Sequence, residues 1–372
     1  MTIYLLTRGM KTLILSEMTT SSQKYEFGLA KHLAEHAEVR ILTTALGEGK
    51  QHFLDGVTLI GVRTANKKKK YIESDFYNYL AQKDAKNAAI VFWGYSLPMV
   101  KTARSLQKKL GFKCISFIYD SHKPALATSK GLKKLILNMR FEKGKRLSRF
   151  FDGYILFQEK AVDRLRISSK PYIISKPGVY GNSSILPNPK LPFTISYCGS
   201  LTELNGIHLL LEAMPILNDT GVRVLICGEG PLKKEVEQAT KAYSSLEYRG
   251  LLNGIELFKL YEETHLLLNL RRLDDEAMDF AFPSKTFEYI NTGLPMLTTR
   301  VLSDHEFCDN TFILDTFSAD ELAKMIQSVR ANYDLALQKA SKAKQYILSR
   351  YSFQASAEHI FLFLNSISNE KR

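Results

Sequence analysis

Short, nearly unbroken apolar runs alternate along this chain with longer segments of mixed polarity. IYLLT at 3–7, VRILTT at 39–44, VTLIGV at 57–62, AAIVFWG at 88–94 and FKCISFIYD at 112–120 are too short and too continuously apolar for half-exposed helices. They predict strands buried on both faces, as in parallel sheets. Residues 23–35 and 97–110 carry helical spacing between them, and YILF at 154–157 and YIIS at 172–175 end the series. Strand and helix alternating in this way predict a doubly wound α/β domain. The segment 176–192, KPGVYGNSSILPNPKLP, is dense in glycine, proline, asparagine and serine and predicts an interdomain connection. A second series then runs through FTISYCGS at 193–200, a helix over 206–217, VRVLICGEG at 222–230, a helix over 232–243, LEYRGLL at 246–252 and the strand 266–270. Helical patterns near 318–332, 335–349 and 353–366 follow. The expectation is two α/β domains, 1–187 and 188–352.

The second series is organised around residues 280–300. Pro283-Ser284-Lys285 has the form of a helix start, with proline near the first position and a hydroxyl beside it. The helix is expected to reach residue 291, where Gly293 supplies a left-handed cap and Pro295 bars continuation into the strand PMLTT. The apolar run 266–270 ends at Arg271 just before. A strand end and a helix N-terminus therefore converge on one point, where unpaired amides and the positive end of the helix dipole favour an anion. Arg271 and Lys285 add charge to it. Glu288 lies one turn inside; it either accepts hydrogen bonds from sugar hydroxyls beside a bound phosphate or faces solvent. Two further strand ends of this domain finish in glycine, Gly199-Ser200 and Gly228-Glu229-Gly230, as a phosphate-binding crevice requires. In the first domain Asp120-Ser121-His122 closes an apolar strand at its carboxyl end, the edge at which open α/β sheets take ligands.

Composition adds the partner. Of 372 residues 45% are hydrophobic and 24% charged, ordinary for a globular chain, and the length exceeds what one core usually serves. The net charge of +13 is divided unequally. Residues 1–190 hold 33 lysines and arginines against 14 acidic residues, a net +19, while the remainder holds 18 against 24, a net −6. The first half is built to meet an anion. Lys67 to Lys70 reads as a solvated loop or a binding site. Residues 127–151 place Leu132, Leu135, Ile136, Met139, Leu147 and Phe150 at helical spacing among eight cations opposed only by Glu142. Two readings stand: a basic amphipathic helix resting on an anionic membrane surface, or a surface helix packed on its own domain. Cys114, Cys198, Cys227 and Cys308 form no CxxC pair and read as reduced thiols. With no apolar run of membrane-spanning length and no cleavable leader, a cytoplasmic protein, peripheral on the inner face of the plasma membrane, is expected.

The segments YCGSLTELNGIHLLLEA, VLICGEGPLKKEVE, YRGLL and FPSKTFEYINTGLPML resemble, in order and spacing, the nucleotide-sugar-dependent GT-B glycosyltransferases, most of all the retaining family-four group. The resemblance is carried by residues 195–300; over the first half it is architectural, helped by His122 and by KPGV at 176–179. It implies two Rossmann-like domains facing across a cleft, the second binding a nucleotide sugar, the first an acceptor, with residues beyond 353 packing back on the first. It implies that Glu288 holds the ribose hydroxyls, that Gly199, Ser200, Asn205, Gly228, Glu229, Leu251, Pro283, Ser284 and Lys285 line the donor site, and that His122 contacts the transferred sugar. The family's first motif glutamate falls on Phe280, and its diphosphate-binding arginine and lysine fall on Ser200 and Asn205. Arg271 and Lys285 are expected to supply that charge instead. No Asp-x-Asp and no His/Cys cluster of ligand spacing occurs, so leaving-group departure is expected without metal or cofactor. The expected partners are a nucleotide sugar and a lipid-linked or saccharide acceptor in bacterial surface polysaccharide assembly.

Other classes fit less well. A sugar-nucleotide epimerase of the same fold needs several acid/base carboxylates, where Glu288 alone stands out. A nucleic-acid binder would use the basic half, but that half lacks cations interleaved with aromatics at the spacing of a stacking platform. A dinucleotide oxidoreductase requires the full glycine fingerprint with an acidic residue downstream, and neither half has it.

Overall fold

A computed structural model describes residues 1–18, 21–63, 72–119, 131–175, 178, 185, 191–252, 254–272, 284–301 and 305–369. The chain divides into two compact units. One comprises Met1–Gly178 together with the segment from Phe353 onward, and the other comprises Val179–Met278 with Pro283–Ser352.

The first unit is built on eight strands: β1 (Thr2–Thr7), β2 (Glu38–Gly47), β3 (Gln51–Leu54), β4 (Val57–Arg63), β5 (Ala88–Trp93), β6 (Lys113–Ile118), β7 (Gly153–Leu156) and β8 (Tyr172–Ile174). Their order is β3-β4-β2-β1-β5-β6-β7-β8, parallel throughout except for β3. The strand β3 is absent from the sequence reading. It forms because Asp55-Gly56, both at positive φ, turns the chain into a tight hairpin, and its four residues stay exposed along the sheet edge. The helix Ile72–Leu80, also not anticipated, and Leu97–Ser105 cover one face. There Tyr4, Leu6, Ile90, Phe92, Cys114 and Tyr154 form the core. The residues after 105 continue as a π-helical turn, Leu106–Leu110, which Gly111 ends in the left-handed region.

The helices Ser21–Leu33 and Phe353–Asn369 belong together. His32 stacks on Phe353 and His36 on Phe361, with ring centres 6.1 and 5.3 Å apart. A side chain on Gly153 would strike Ile367, so β7 also lies against the C-terminal helix. The basic segment forms the helix Gly131–Ser148. It leans on the loop after β5, where Phe141 packs edge-on against Tyr95 and Gly144 lies against the Tyr95 carbonyl. Leu132, Leu135, Ile136 and Met139 are exposed.

The second unit holds β9 (Thr194–Cys198), β10 (Arg223–Cys227), β11 (Leu246–Tyr248), β12 (Leu266–Asn269), β13 (Met296–Thr298) and β14 (Phe312–Ile313). The order β11-β10-β9-β12-β13-β14 is entirely parallel and reverses direction between β9 and β12. Aliphatic residues of these strands and of the helices Ile207–Leu217 and Ala319–Ala331 fill its core. The helix Gly254–Glu263, unforeseen from sequence, is tied in by Arg223, which donates to Glu247 at 2.7 Å and Glu263 at 2.8 Å. Each unit is thus the doubly wound α/β body that the alternation of runs predicts.

Candidate donor-binding site

The three strand ends singled out in the sequence are neighbours, since β10, β9 and β12 lie side by side. Cys198 and Cys227 are paired in register, and the chain leaves both strands through glycine. Gly228 takes φ +131, and a side chain there would lie 1.8 Å from the Gly199 carbonyl oxygen. Only glycine allows that approach. The Gly199 amide donates to the Cys227 carbonyl at 2.8 Å, and the Leu201 amide to the Glu229 carbonyl at 3.0 Å. On the other side Gly206, at φ +74, lies on the Leu270 carbonyl, while the Arg272 amide donates to the Leu204 carbonyl. The loop after β9 is therefore held against both flanking strand ends.

Across this loop stands the helix Ser284–Thr292, one residue longer than expected and closed by Gly293 at φ +82. Its Lys285 ammonium hangs over Gly199, 2.3 Å from where a β-carbon would be, and 5.7 Å from the ring centre of Tyr289. Among the described residues it has no ion-pair partner. Arg271 follows β12, and its positive charge acts on the Tyr197 phenol, whose burial nonetheless pushes it above its ordinary pKa. The Arg271 carbonyl accepts from Thr299 at 2.7 Å. The fold thus gathers Arg271 and Lys285 around Gly199 and Tyr197.

Asn269, buried at the end of β12, donates to Thr286 and Thr298 at 3.0 and 3.1 Å, fixing the helix start to the sheet. Ser200 and Asn205 serve the loop itself: the Ser200 carbonyl accepts from Tyr197 and from the Asn205 amide nitrogen at 2.9 and 3.1 Å. Glu229 pairs with Lys233 at 2.9 Å on the surface. Leu251 is 73% exposed just past Gly250, whose carbonyl accepts from the Gly228 amide. Glu288, half-buried, accepts from the Tyr261 hydroxyl at 3.3 Å, so it faces a neighbouring helix rather than open water alone. His122 and Pro283 lie outside the described residues, as do Lys67 to Lys70.

Sequence reasoning missed four tyrosines. Tyr197 donates to Ser200, Tyr248 to the Gly228 carbonyl at 2.7 Å, and Tyr261 to Glu288. Tyr289 spans the main chain of Cys198, donating to its carbonyl at 2.8 Å and accepting from its amide at 3.0 Å. Their one signal is a phenol set in otherwise aliphatic strand-end and helix positions. Beneath them the Cys198 and Cys227 thiols are hydrogen-bonded. Burial pushes Cys198 up, and the bond from Cys198 holds Cys227 below the usual thiol value. A helix N-terminus and two cations beside glycine-built strand ends suit a multiply charged anion.

Residues 192–332 match the family model described as glycosyl transferases group 1. The described residues of that match lie within the second unit. The chain as a whole shares its fold with GT-B glycosyltransferases of known structure. Sucrose-phosphate synthase from Thermosynechococcus elongatus superposes over 98% of both chains at 14% identity with a TM-score of 0.72. HepE of Anabaena, solved in complex with UDP-glucose, aligns over 98% of this chain and 99% of its own at 12% identity and a TM-score of 0.71. WaaG, a glycosyltransferase involved in lipopolysaccharide biosynthesis, aligns over the whole of both chains at 16% identity and a TM-score of 0.66. At these identities the likeness is one of fold. No curated protein sequence matches this one.

Proposed function

We propose that the chain moves a sugar from a nucleoside diphosphate sugar, held by the second unit, to an acceptor with a saccharide or lipid-linked saccharide part. The observation that carries this reading is the position of Lys285 over Gly199 beside Arg271, a cationic pocket floored by main chain at the sheet's point of reversal. As the glycosidic bond breaks, the departing diphosphate gains charge, and Lys285, Arg271 and the first amides of the helix Ser284–Thr292 stabilise it without a metal. Glu288 takes the ribose hydroxyls, with the Tyr261 hydroxyl fixing its carboxylate. UDP-glucose in the structure of HepE supports a sugar nucleotide of this class as the donor. We assign transfer with retention, and a place in bacterial surface polysaccharide or glycolipid assembly, on the family likeness and the association of WaaG with lipopolysaccharide.

The exposed apolar stripe Leu132, Leu135, Ile136 and Met139, flanked by Lys133, Arg140 and Lys143, supports peripheral contact with an anionic membrane face. Among the described residues no helix is long and apolar enough to cross one.

Calorimetric titration with UDP, UDP-glucose and UDP-N-acetylglucosamine tests the donor assignment. Glu288→Gln should weaken binding by roughly 1.5–3 kcal/mol, the contribution of a charged acceptor facing hydroxyls, while leaving the fold intact. An unchanged dissociation constant would remove Glu288 from the ribose.

A further inference from the structure

Among the described residues, two buried polar atoms without hydrogen-bond partners, one on Glu26 and one on Trp93, lie at the carboxyl end of the first sheet. Glu26, on the helix Ser21–Leu33, is 6% exposed; Thr7 bonds its carboxyl, but Oε2 has no hydrogen-bond partner among the described residues. Trp93, the last residue of β5, keeps its indole Nε1 buried and unpaired. Strands β1 and β5 are paired in register through Leu6 and Phe92, so Thr7 and Trp93 follow side by side. This is also where the strand order reverses, with β2 on one side of β1 and β5 on the other. Ligands of open α/β sheets bind at the carboxyl ends of strands at such a reversal. Buried donors and acceptors are satisfied almost without exception in proteins, and those left over at a strand end point to a ligand.

The chemistry of the place selects that ligand. Burial raises the Glu26 carboxyl to about 8, so at neutral pH it is protonated and can both donate and accept. Among the described residues it has no cationic partner. Trp93 stacks parallel on Tyr119 at 5.3 Å, and Tyr25 packs edge-on to both, so aromatic rings gather at the same strand ends. A partner that matches an indole N–H, a carboxyl able to donate and accept, and neighbouring aromatic rings is one with hydroxyls and C–H faces. We propose that a saccharide ring binds at the ends of β1 and β5, its hydroxyls taking Trp93 Nε1 and Glu26 Oε2. This rests on the glycosyl-transfer reading, in which the ring is the acceptor's sugar. The helix Gly131–Ser148, mounted on the Tyr95 loop two residues beyond Trp93, then lies beside it with cations for the acceptor's anionic remainder.

Trp93 is the only tryptophan in the chain, so its fluorescence reports this place alone. The full chain is titrated with the methyl glycosides of glucose, galactose, mannose and N-acetylglucosamine, up to about 100 mM, and separately with inorganic pyrophosphate. A saturable change with one or more glycosides and none with pyrophosphate is expected. Glu26→Ala should weaken that response about tenfold or more, and Glu26→Gln, which keeps a donor and an acceptor, by less than about threefold. Should Glu26→Ala fail to fold, Trp93→Phe, which keeps a ring but loses the N–H, should bind the same glycoside about tenfold more weakly by calorimetry. No glycoside response, a response to pyrophosphate alone, or equal binding by every variant overturns the proposal. UDP-glucose calorimetry on the same samples separates the outcomes, because donor binding without a glycoside response rejects this site and leaves the transfer reading standing.

Discussion

Lys285 holds its ammonium over the α-carbon of Gly199: a methyl group at Gly199 would lie 2.3 Å from Nζ and 3.3 Å from the Tyr197 hydroxyl. The lysine is the flexible partner and yields to a larger residue at little cost. Gly199→Ala should therefore fold with a loss under about 1 kcal/mol in urea titration, yet bind UDP about tenfold more weakly because the cation is displaced. Gly228→Ala meets main chain at 1.8 Å from a left-handed φ and should lose about 3 kcal/mol or more. Equal stability of the two variants would contradict the geometry.

Lys285→Ala and Arg271→Ala address charge that grows as the leaving group departs. Each should lower kcat by about 10²-fold or more, with a smaller change in donor dissociation constant, since the interaction strengthens toward the transition state. Steady-state kinetics joined to donor titration read the two apart. Turnover near that of the parent in both variants would leave the diphosphate to the amides alone.

Burial raises Glu26 from 4.5 to about 8, which sets a pH dependence of stability. The folded form keeps the proton that the unfolded chain releases. Its favourable contribution is thus fully present below 4.5 and is lost as pH climbs to about 8, at about 1.4 kcal/mol per pH unit. Glu26→Gln removes the dependence, so its advantage over the parent in urea denaturation should grow across that window. A constant difference would mean that the carboxyl is ionised in the fold.

The proposed membrane contact rests on exposed side chains, which can be replaced without touching the core. Leu132, Leu135 and Met139 are 72%, 56% and 64% exposed. Replacing all three with asparagine should leave the melting temperature within about 2 °C while abolishing cosedimentation with vesicles containing anionic lipid. The parent should bind those vesicles more than neutral ones, and less at high salt. Equal partitioning of parent and variant would place the acceptor in solution.

Removing the phenol of Tyr289 tests the brace beneath Lys285. Tyr289→Phe deprives the Cys198 amide and carbonyl of their partner and should cost about 1–3 kcal/mol, with donor affinity falling as the helix loosens from β9. Urea denaturation with and without saturating UDP separates the two effects.

Much of this was legible in the sequence, for identifiable reasons. The helix Ser284–Thr292 could be bounded because the sequence sets a proline before it as a start signal and Gly293 closes it, both local steric constraints. The run 266–270 could be read because a strand buried on both faces needs no alternation. The hairpin strand β3 was passed over although Asp55-Gly56 signals its turn, since its four residues are wholly exposed and carry no apolar pattern. The charge of Lys285 could be read from the sequence, but not its place over Gly199, because the two meet only when β9 and β12 become neighbours. The same holds for Glu26: it lies among helix-forming residues, and its burial is imposed by strands and a C-terminal helix remote in sequence. Asn205 marks the limit of motif transfer, since its side-chain amide is spent on the Ser200 carbonyl and so on the shape of the loop.

The C-terminal helix Phe353–Asn369 closes the face of the first sheet that the helix Ser21–Leu33 only half covers. On the ribosome, the first 178 residues leave the tunnel long before that helix exists, with Tyr25 and His32 lacking the cover of Phe353 and His36 that of Phe361. The second unit is complete once residue 352 has emerged. The half of the enzyme that is made first is thus the half that is finished last, and until then its aromatic face is a client for chaperones.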